Sequence, residues 1–120
     1  MLHLIQTRTV KKLIQVQNMQ RSYLLHLPSG YISNKHYPLV IMLHGYSDNP
    51  RLMELYSGMS IKADKEQFIV VYPRGSNDAH DRHLSWNAGF CCGAAKRAHT
   101  DDVAFIDQLL DEVSAKYAVD

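Results

Sequence analysis

Two apolar runs, Leu39-Val40-Ile41-Met42-Leu43 and Phe68-Ile69-Val70-Val71-Tyr72, constrain this chain more than any other feature, because each is apolar at every position. An alternating strand can leave one face in water, whereas a strand apolar on both faces needs cover above and below and so belongs inside a sheet flanked by helices. Between the runs, Pro50 to Gln67 carries a helical pattern. It predicts a short turn of helix around Arg51 to Tyr56, a helix near Met59 to Glu66, and Ser57 or Ser60 as its cap. Strand, helix and strand of this length make a right-handed parallel unit, which sets the fold class as α/β.

The remaining segments fit around that unit. In Lys12 to Gln17, Ile14 and Val16 alternate with Gln15 and Gln17; in Arg21 to Leu27, Tyr23, Leu25 and Leu27 share one face. Two alternating segments joined by a turn at Asn18 and Met19 predict an antiparallel hairpin, ended by Pro28, Ser29 and Gly30. Arg74 to Ala98 reads as a long polar loop carrying Trp86, the single tryptophan. A last helix follows, with Thr100 as cap, Asp101 and Asp102 at the positive end of its dipole, and an apolar stripe of Val103, Ile106, Leu110, Val113 and Tyr117.

At 120 residues the chain is one small domain or part of one. Thirteen basic and twelve acidic side chains give a formal charge of +1, which provides no broad field for nucleic acid or an anionic membrane. Leu39 to Leu43 falls far short of the roughly 20 apolar residues that a membrane helix requires, so no membrane span is expected. In Met1 to Gln20 no small-residue cleavage site follows an apolar core, so no signal peptide is read there and the compartment stays open.

The tetrad Leu43-His44-Gly45-Tyr46 stands where a buried parallel strand gives way to a loop, at the carboxyl end of the sheet where open α/β sheets bind ligands. A strand ending in His-Gly suits an oxyanion hole, since glycine lets the chain turn sharply and present a backbone N–H to a developing negative charge. The donor is Tyr46 or, second, Ser47, with His44 and Gly45 forming the turn. The same dipeptide also suits a plain glycine turn with a histidine bonded to its neighbours.

Further motifs occur in order around it: Arg21-Ser22-Tyr23, Leu27-Pro28, Tyr37-Pro38, Phe68 to Pro73, Trp86-Asn87-Ala88-Gly89 and Asp101-Asp102-Val103-Ala104-Phe105-Ile106. With these, the chain resembles the polyhydroxybutyrate depolymerase and feruloyl esterase-like branch of the α/β-hydrolases from about Gln20 to Asp120. Residues 1–19 are then an N-terminal segment and first strand, and 1–120 an incomplete α/β-hydrolase domain: an antiparallel hairpin followed by parallel strands with flanking helices. The resemblance implies a serine esterase of polymer or carbohydrate-linked aromatic esters, often secreted, with no cofactor. It places the nucleophile in a Gly-x-Ser-x-Gly elbow after the next strand, so the catalytic Ser, Asp and His are expected beyond Asp120 and none in this chain. Gly45-Tyr46-Ser47-Asp48-Asn49 is no substitute, having the wrong last residue and the wrong strand.

The chain then supplies an oxyanion turn without a triad and is inactive alone. In the family's strand order Leu39 to Leu43 loses one neighbour, which leaves an open edge for self-association. A second reading is a noncatalytic remnant or interaction module that pairs through that edge.

Trp86 and Asn87 fall near the family's active-site mouth, where Trp86 either meets an aromatic or sugar substrate or pins down its own loop. Cys91 and Cys92 are adjacent, and across an ordinary peptide their Cα atoms stand closer than a disulfide accepts, so free thiols or other partners are expected. Asp78, His80, Asp81 and His83 are ligand types, yet their place in an irregular loop predicts no metal site. Asp101 and Asp102 read as helix caps, and His26, His36 and His99 as surface residues without partners.

Overall fold

The computed structural model describes residues 9–78, 82–89 and 91–120. Four strands, β1 (Thr9–Val16), β2 (Met19–His26), β3 (Leu39–Ile41) and β4 (Ile69–Pro73), form one mixed sheet in the order β1-β2-β4-β3. The hairpin pairs antiparallel from Thr9↔His26 to Val16↔Met19. Its turn is therefore Gln17-Asn18, one residue earlier than expected, with Gln17 taking the left-handed conformation at φ 56. β2 then pairs antiparallel with β4, and β4 pairs parallel with β3.

The crossover from β3 to β4 runs through α1 (Pro50–Ser57) and α2 (Met59–Glu66), as the helical pattern predicts. The expected cap is partly corrected. Gly58 is the cap residue of α2, Ser57 Oγ accepts from the Met59 N–H at 3.1 Å, and Ser60 is buried within the helix with its hydroxyl turned elsewhere. Leu24, Val70, Tyr72 and Ala63 pack between the sheet and these two helices. On the opposite face Ile14, Val16, Tyr23, Leu25, Ile69 and Val71 pack on Phe105, Leu109 and Val113 of α4 (Asp102–Lys116). The chain is thus a helix–sheet–helix sandwich, and the alternation in β2 assigns Tyr23 and Leu25 to one layer and Leu24 to the other.

Three expectations about the second half are corrected. The residues from Arg74 to Ala98 are not one irregular loop, because Ser76 and Ser85 exchange backbone hydrogen bonds at 3.0 and 2.9 Å and Gly93–Arg97 forms a short helix, α3. The cap of α4 is Asp101, whose carboxylate accepts from the Ala104 N–H at 2.9 Å, and not Thr100. The buried face of α4 is Asp102, Phe105, Leu109 and Val113, while Val103 is 73% exposed. Helical spacing allows both stripes. The Arg21 guanidinium decides between them, since it pairs with Asp102 and lies 4.1 Å over the Phe105 ring.

β3 is shorter than its apolar run and is the edge of the described sheet, half-buried along its length where β4 is buried throughout. The Pro38 carbonyl and the Met42 N–H point to β4, accepting from Ile69 and donating to Val71 at 2.9 Å each. Tyr37 points the other way: its N–H donates to the Ala118 carbonyl at 2.8 Å and its carbonyl accepts from Asp120 at 2.7 Å, a parallel bridge to Val119. By the alternation of a strand, Leu39, Ile41 and Leu43 direct their backbone groups to the same side as Tyr37.

Candidate oxyanion turn

The residues after β3 are held by a histidine that faces inward. His44 is only 2% exposed. Its Nε2 accepts from the Gly75 N–H at 2.9 Å, so that nitrogen carries no hydrogen, and its Nδ1 donates to the Gly45 carbonyl at 2.8 Å. The two bonds select the neutral Nδ1–H tautomer. Burial is the main cause that pushes the imidazole below its ordinary 6.5; the Gly45 carbonyl and Asp48 oppose the shift and Arg74 adds to it. The His44 side chain thereby ties the exit of β3 to the exit of β4, and Gly75 allows the approach: a Cβ there would stand 2.5 Å from the Ser85 carbonyl oxygen and 3.2 Å from His44 Cε1.

The backbone of the turn is held as well. The indole Nε1 of Trp86 donates to the His44 carbonyl at 2.9 Å while its ring packs between His44, at 5.1 Å, and Phe105, at 6.5 Å. The Asp48 N–H closes a tight turn on the Gly45 carbonyl at 3.1 Å, with Ser47 left-handed at φ 72. The sharp bend thus falls on Ser47; Gly45 has no positive φ, and a Cβ on it would meet only Asp48 Oδ2 at an ordinary 3.6 Å. Of the two expected donors, Ser47 gives its N–H to the Leu84 carbonyl at 2.9 Å. The Tyr46 side chain is 53% exposed beside His83, their ring centres 5.6 Å apart.

Asn87 is tied to its surroundings by three hydrogen bonds. Its amide nitrogen donates to the Thr100 carbonyl at 3.0 Å, its side-chain oxygen accepts from Gly89 at 3.1 Å, and its backbone N–H donates to Asp102 Oδ2 at 2.7 Å. Asp102 also takes Arg21 at 2.8 Å with both side chains nearly buried, and so it is an ion-pair centre and not a cap. Leu43, Trp86, Asn87, Val103 and Ile106 line an open, mostly apolar cleft of about 360 Å³ on this side of the sheet.

The remaining sequence-predicted residues fall elsewhere. Cys91 and Cys92 are joined in a disulfide, contrary to the free thiols expected; the peptide between them is cis and brings their Cα atoms to 3.1 Å. Among the described residues no group of three ligand-type side chains is placed to hold a metal; His80 and Asp81 lie outside the described residues. His36 and His99 are exposed, but His26 is buried, its two nitrogens 2.8 Å from Thr9 Oγ1 and from Asp64 Oδ1. Thr9 gives its hydroxyl hydrogen to Glu54 at 2.7 Å, which Ser60 also does, and Ser60 in turn meets the Tyr72 hydroxyl at 2.7 Å. This buried chain links the hairpin to α1, α2 and β4; burial pushes the Tyr72 hydroxyl up to about 12, while its bond with Ser60 works against the shift.

The fold is found again in solved structures. A ferulic acid esterase superposes with a TM-score of 0.66 at 22% identity over 95% of this chain and 46% of its own. A ferulic acid esterase from Anaeromyces mucronatus, solved with ferulic acid, superposes with a TM-score of 0.60 at 23% identity, over 94% of this chain and 44% of that one. In sequence, a bifunctional acetylxylan esterase/xylanase from Neocallimastix patriciarum is 26% identical over 113 residues, 94% of this chain and 15% of that protein. Feruloyl esterase B from Piromyces equi is 29% identical over 100 residues, 83% of this chain and 17% of its own length. The chain therefore spans less than half of each of these relatives. The profile of the Esterase PHB depolymerase family matches residues 21–120, the stretch that holds the braced turn, its tryptophan and the Arg21–Asp102 pair, and on that match the chain belongs to this family.

Proposed function

We propose that this chain forms the part of a carboxylic ester hydrolase that presents the oxyanion donor, with the Tyr46 N–H as that donor. The observation that carries the reading is the turn after β3, which His44 and Trp86 hold from two sides at the carboxyl end of the sheet. A preorganised donor of this kind stabilises charge that develops on the carbonyl oxygen as a nucleophile attacks. Ser47 is left out of the assignment, since its N–H is already bonded to Leu84. Trp86 acts here first as a brace, and the exposed side of its ring adjoins the apolar cleft that suits an aromatic or sugar group of the ester.

The nucleophile, base and acid come from polypeptide outside residues 1–120. The outward backbone groups of Leu39, Ile41 and Leu43, continued from the Tyr37–Val119 bridge, offer a further parallel strand a course that ends level with His44 to Tyr46. A serine carried at the end of such a strand attacks the ester carbonyl, loses its proton to a histidine, and leaves an oxyanion facing Tyr46. The names of the relatives favour esters of carbohydrate-linked aromatic or acetyl groups, or polyesters, as substrates. The chain alone is inactive on this reading, because a donor without nucleophile or base has no developing charge to stabilise.

The test pairs this chain with the complementary part of a ferulic acid esterase. The chain alone should not cleave a p-nitrophenyl ester above a blank, and the chimera should. Tyr46→Pro, which removes the N–H, should lower the chimera's kcat by roughly 10²–10³-fold. A folded Tyr46→Pro chimera at full activity would rule out the donor, and turnover by the chain alone that a serine-directed phosphonate abolishes would rule out its incompleteness. A second reading, an interaction module pairing through the β3 edge, is favoured by the exposure of Leu43 and Val103 beside that edge.

A further inference from the structure

We propose that the groove running past Lys11, Ser22 and Arg74 is a carboxylate-binding site. Two clefts of about 180 and 160 Å³ meet at these three residues, on the sheet face that carries α1 and α2. Arg51, at the start of α1, also lines one of them. Among the described residues no acidic side chain lines either cleft, in a chain whose basic and acidic residues are otherwise nearly balanced.

The cations differ in what they already hold. Arg21 is taken up by Asp102, and Arg51 shares one nitrogen with Glu54 at 2.8 Å. Lys11 and Arg74 are exposed and make no ion pair among the described residues. Glu54, on α1, is buried and receives Thr9, Ser60 and Arg51. An anion entering the groove thus meets two uncompensated positive charges, in clefts that Ser22 and Asn49 also line. Each cleft is smaller than the roughly 300–1,000 Å³ of a pocket for a drug-sized ligand, so the occupant is a small charged group or a chain lying across both. Side-chain cations along a groove suit the single charge of a carboxylate on a sugar or an acid better than a compact phosphate, which draws converging backbone donors.

The groove adjoins the turn. Arg74 directly precedes Gly75, whose N–H holds His44. This placement rests on the proposed ester hydrolase only for its use: there the site would hold a uronic acid of an acidic polysaccharide, or the carboxylate of the acid released. Binding itself needs no turnover, so the two readings fail separately.

Ligand-observed saturation-transfer NMR on the 120-residue chain tests it, since the method tolerates association of the protein. The probes are trigalacturonate, neutral xylotriose, a free phenolic acid, and inorganic phosphate, which has no hydrogen to observe and is read by its displacement of the two acids. Trigalacturonate should give saturation transfer that xylotriose does not. Lys11→Gln/Arg74→Gln should weaken it roughly fivefold or more, while Lys11→Arg/Arg74→Lys should keep it within about twofold. A signal from the phenolic acid alone, with the same dependence on the two cations, assigns the carboxylate to the released acid. Equal binding of xylotriose, no signal from either carboxylate, an unchanged glutamine variant with a native circular dichroism spectrum, or phosphate binding tenfold more tightly than both acids would each overturn the proposal.

Discussion

Acidification should loosen the turn through His44, and the sign follows from its hydrogen bonds. The Nε2 lone pair accepts the Gly75 N–H at 2.9 Å, so a proton on that nitrogen would set two N–H groups against each other in a site only 2% exposed. The neutral form is the one that the fold holds, and the value lies below the ordinary 6.5. An unfolded chain takes up this proton at about 6.5, before the folded one does. The stabilising contribution is therefore complete above the unfolded value and is lost as pH falls from there through the folded one, with a slope of at most about 1.4 kcal/mol per pH unit for one proton. Urea midpoints between pH 7.5 and 5, at one fixed protein concentration, should fall more steeply for the wild type than for His44→Gln. Glutamine offers an acceptor to Gly75 and does not titrate, so the difference between the two curves isolates His44 from the other histidines. Nitrogen NMR at pH 7 should show hydrogen on Nδ1 and none on Nε2. Parallel curves, or the opposite tautomer, would refute the brace.

Three further outcomes follow from the packing. Asp102→Ala should cost about 3–5 kcal/mol in urea unfolding, because it leaves the Arg21 guanidinium buried without its partner, whereas Arg21→Met/Asp102→Leu should lie closer to the wild type than either single change. Gly75→Ala should cost about 1–3 kcal/mol, since its Cβ would meet a backbone oxygen at 2.5 Å; a change under half of that would show that Gly75 is not forced by crowding. Sedimentation at micromolar concentration should show association of the chain through its half-buried β3 edge and the exposed Leu43 and Val103, and a sharp monomer with a cooperative melt would exclude it.

The layers of the fold were legible because they depend on local apolar periodicity. Ile14 and Val16, Tyr23 and Leu25, and the whole of β4 lie where their alternation or its absence puts them. The face of α4 was not legible, since Val103-Ile106-Leu110 and Phe105-Leu109-Val113 satisfy the same spacing and only a residue 81 positions away, Arg21, decides between them. The same applies to His26. Nothing next to it in sequence announces Thr9 or Asp64, which arrive 17 and 38 positions away through the hairpin register and α2. Cys91-Cys92 departs from expectation for a local reason, since the peptide between them is not the ordinary trans one. In the turn, His-Gly was informative about place, but the use of His44 as an acceptor for Gly75 and of Trp86 as a donor to His44 depends on loops that meet only in three dimensions.

The motif residues that carried the resemblance prove to share physical work within this chain. Arg21 on β2 reaches Asp102 on α4; Asp102 holds the backbone of Asn87; Asn87 follows Trp86, which donates to His44; and His44 takes Gly75 at the end of β4. Each hydrogen bond in this series joins segments that sequence separates, and together they fix one short turn from the sheet, from the long loop and from the last helix. An oxyanion donor is useful only if it is already in position when charge appears, because reorganising it during the reaction would consume the stabilisation it provides. Four of the motifs, those of Arg21, of His44, of Trp86 and Asn87, and of Asp102, thus meet at one turn although they lie far apart in sequence.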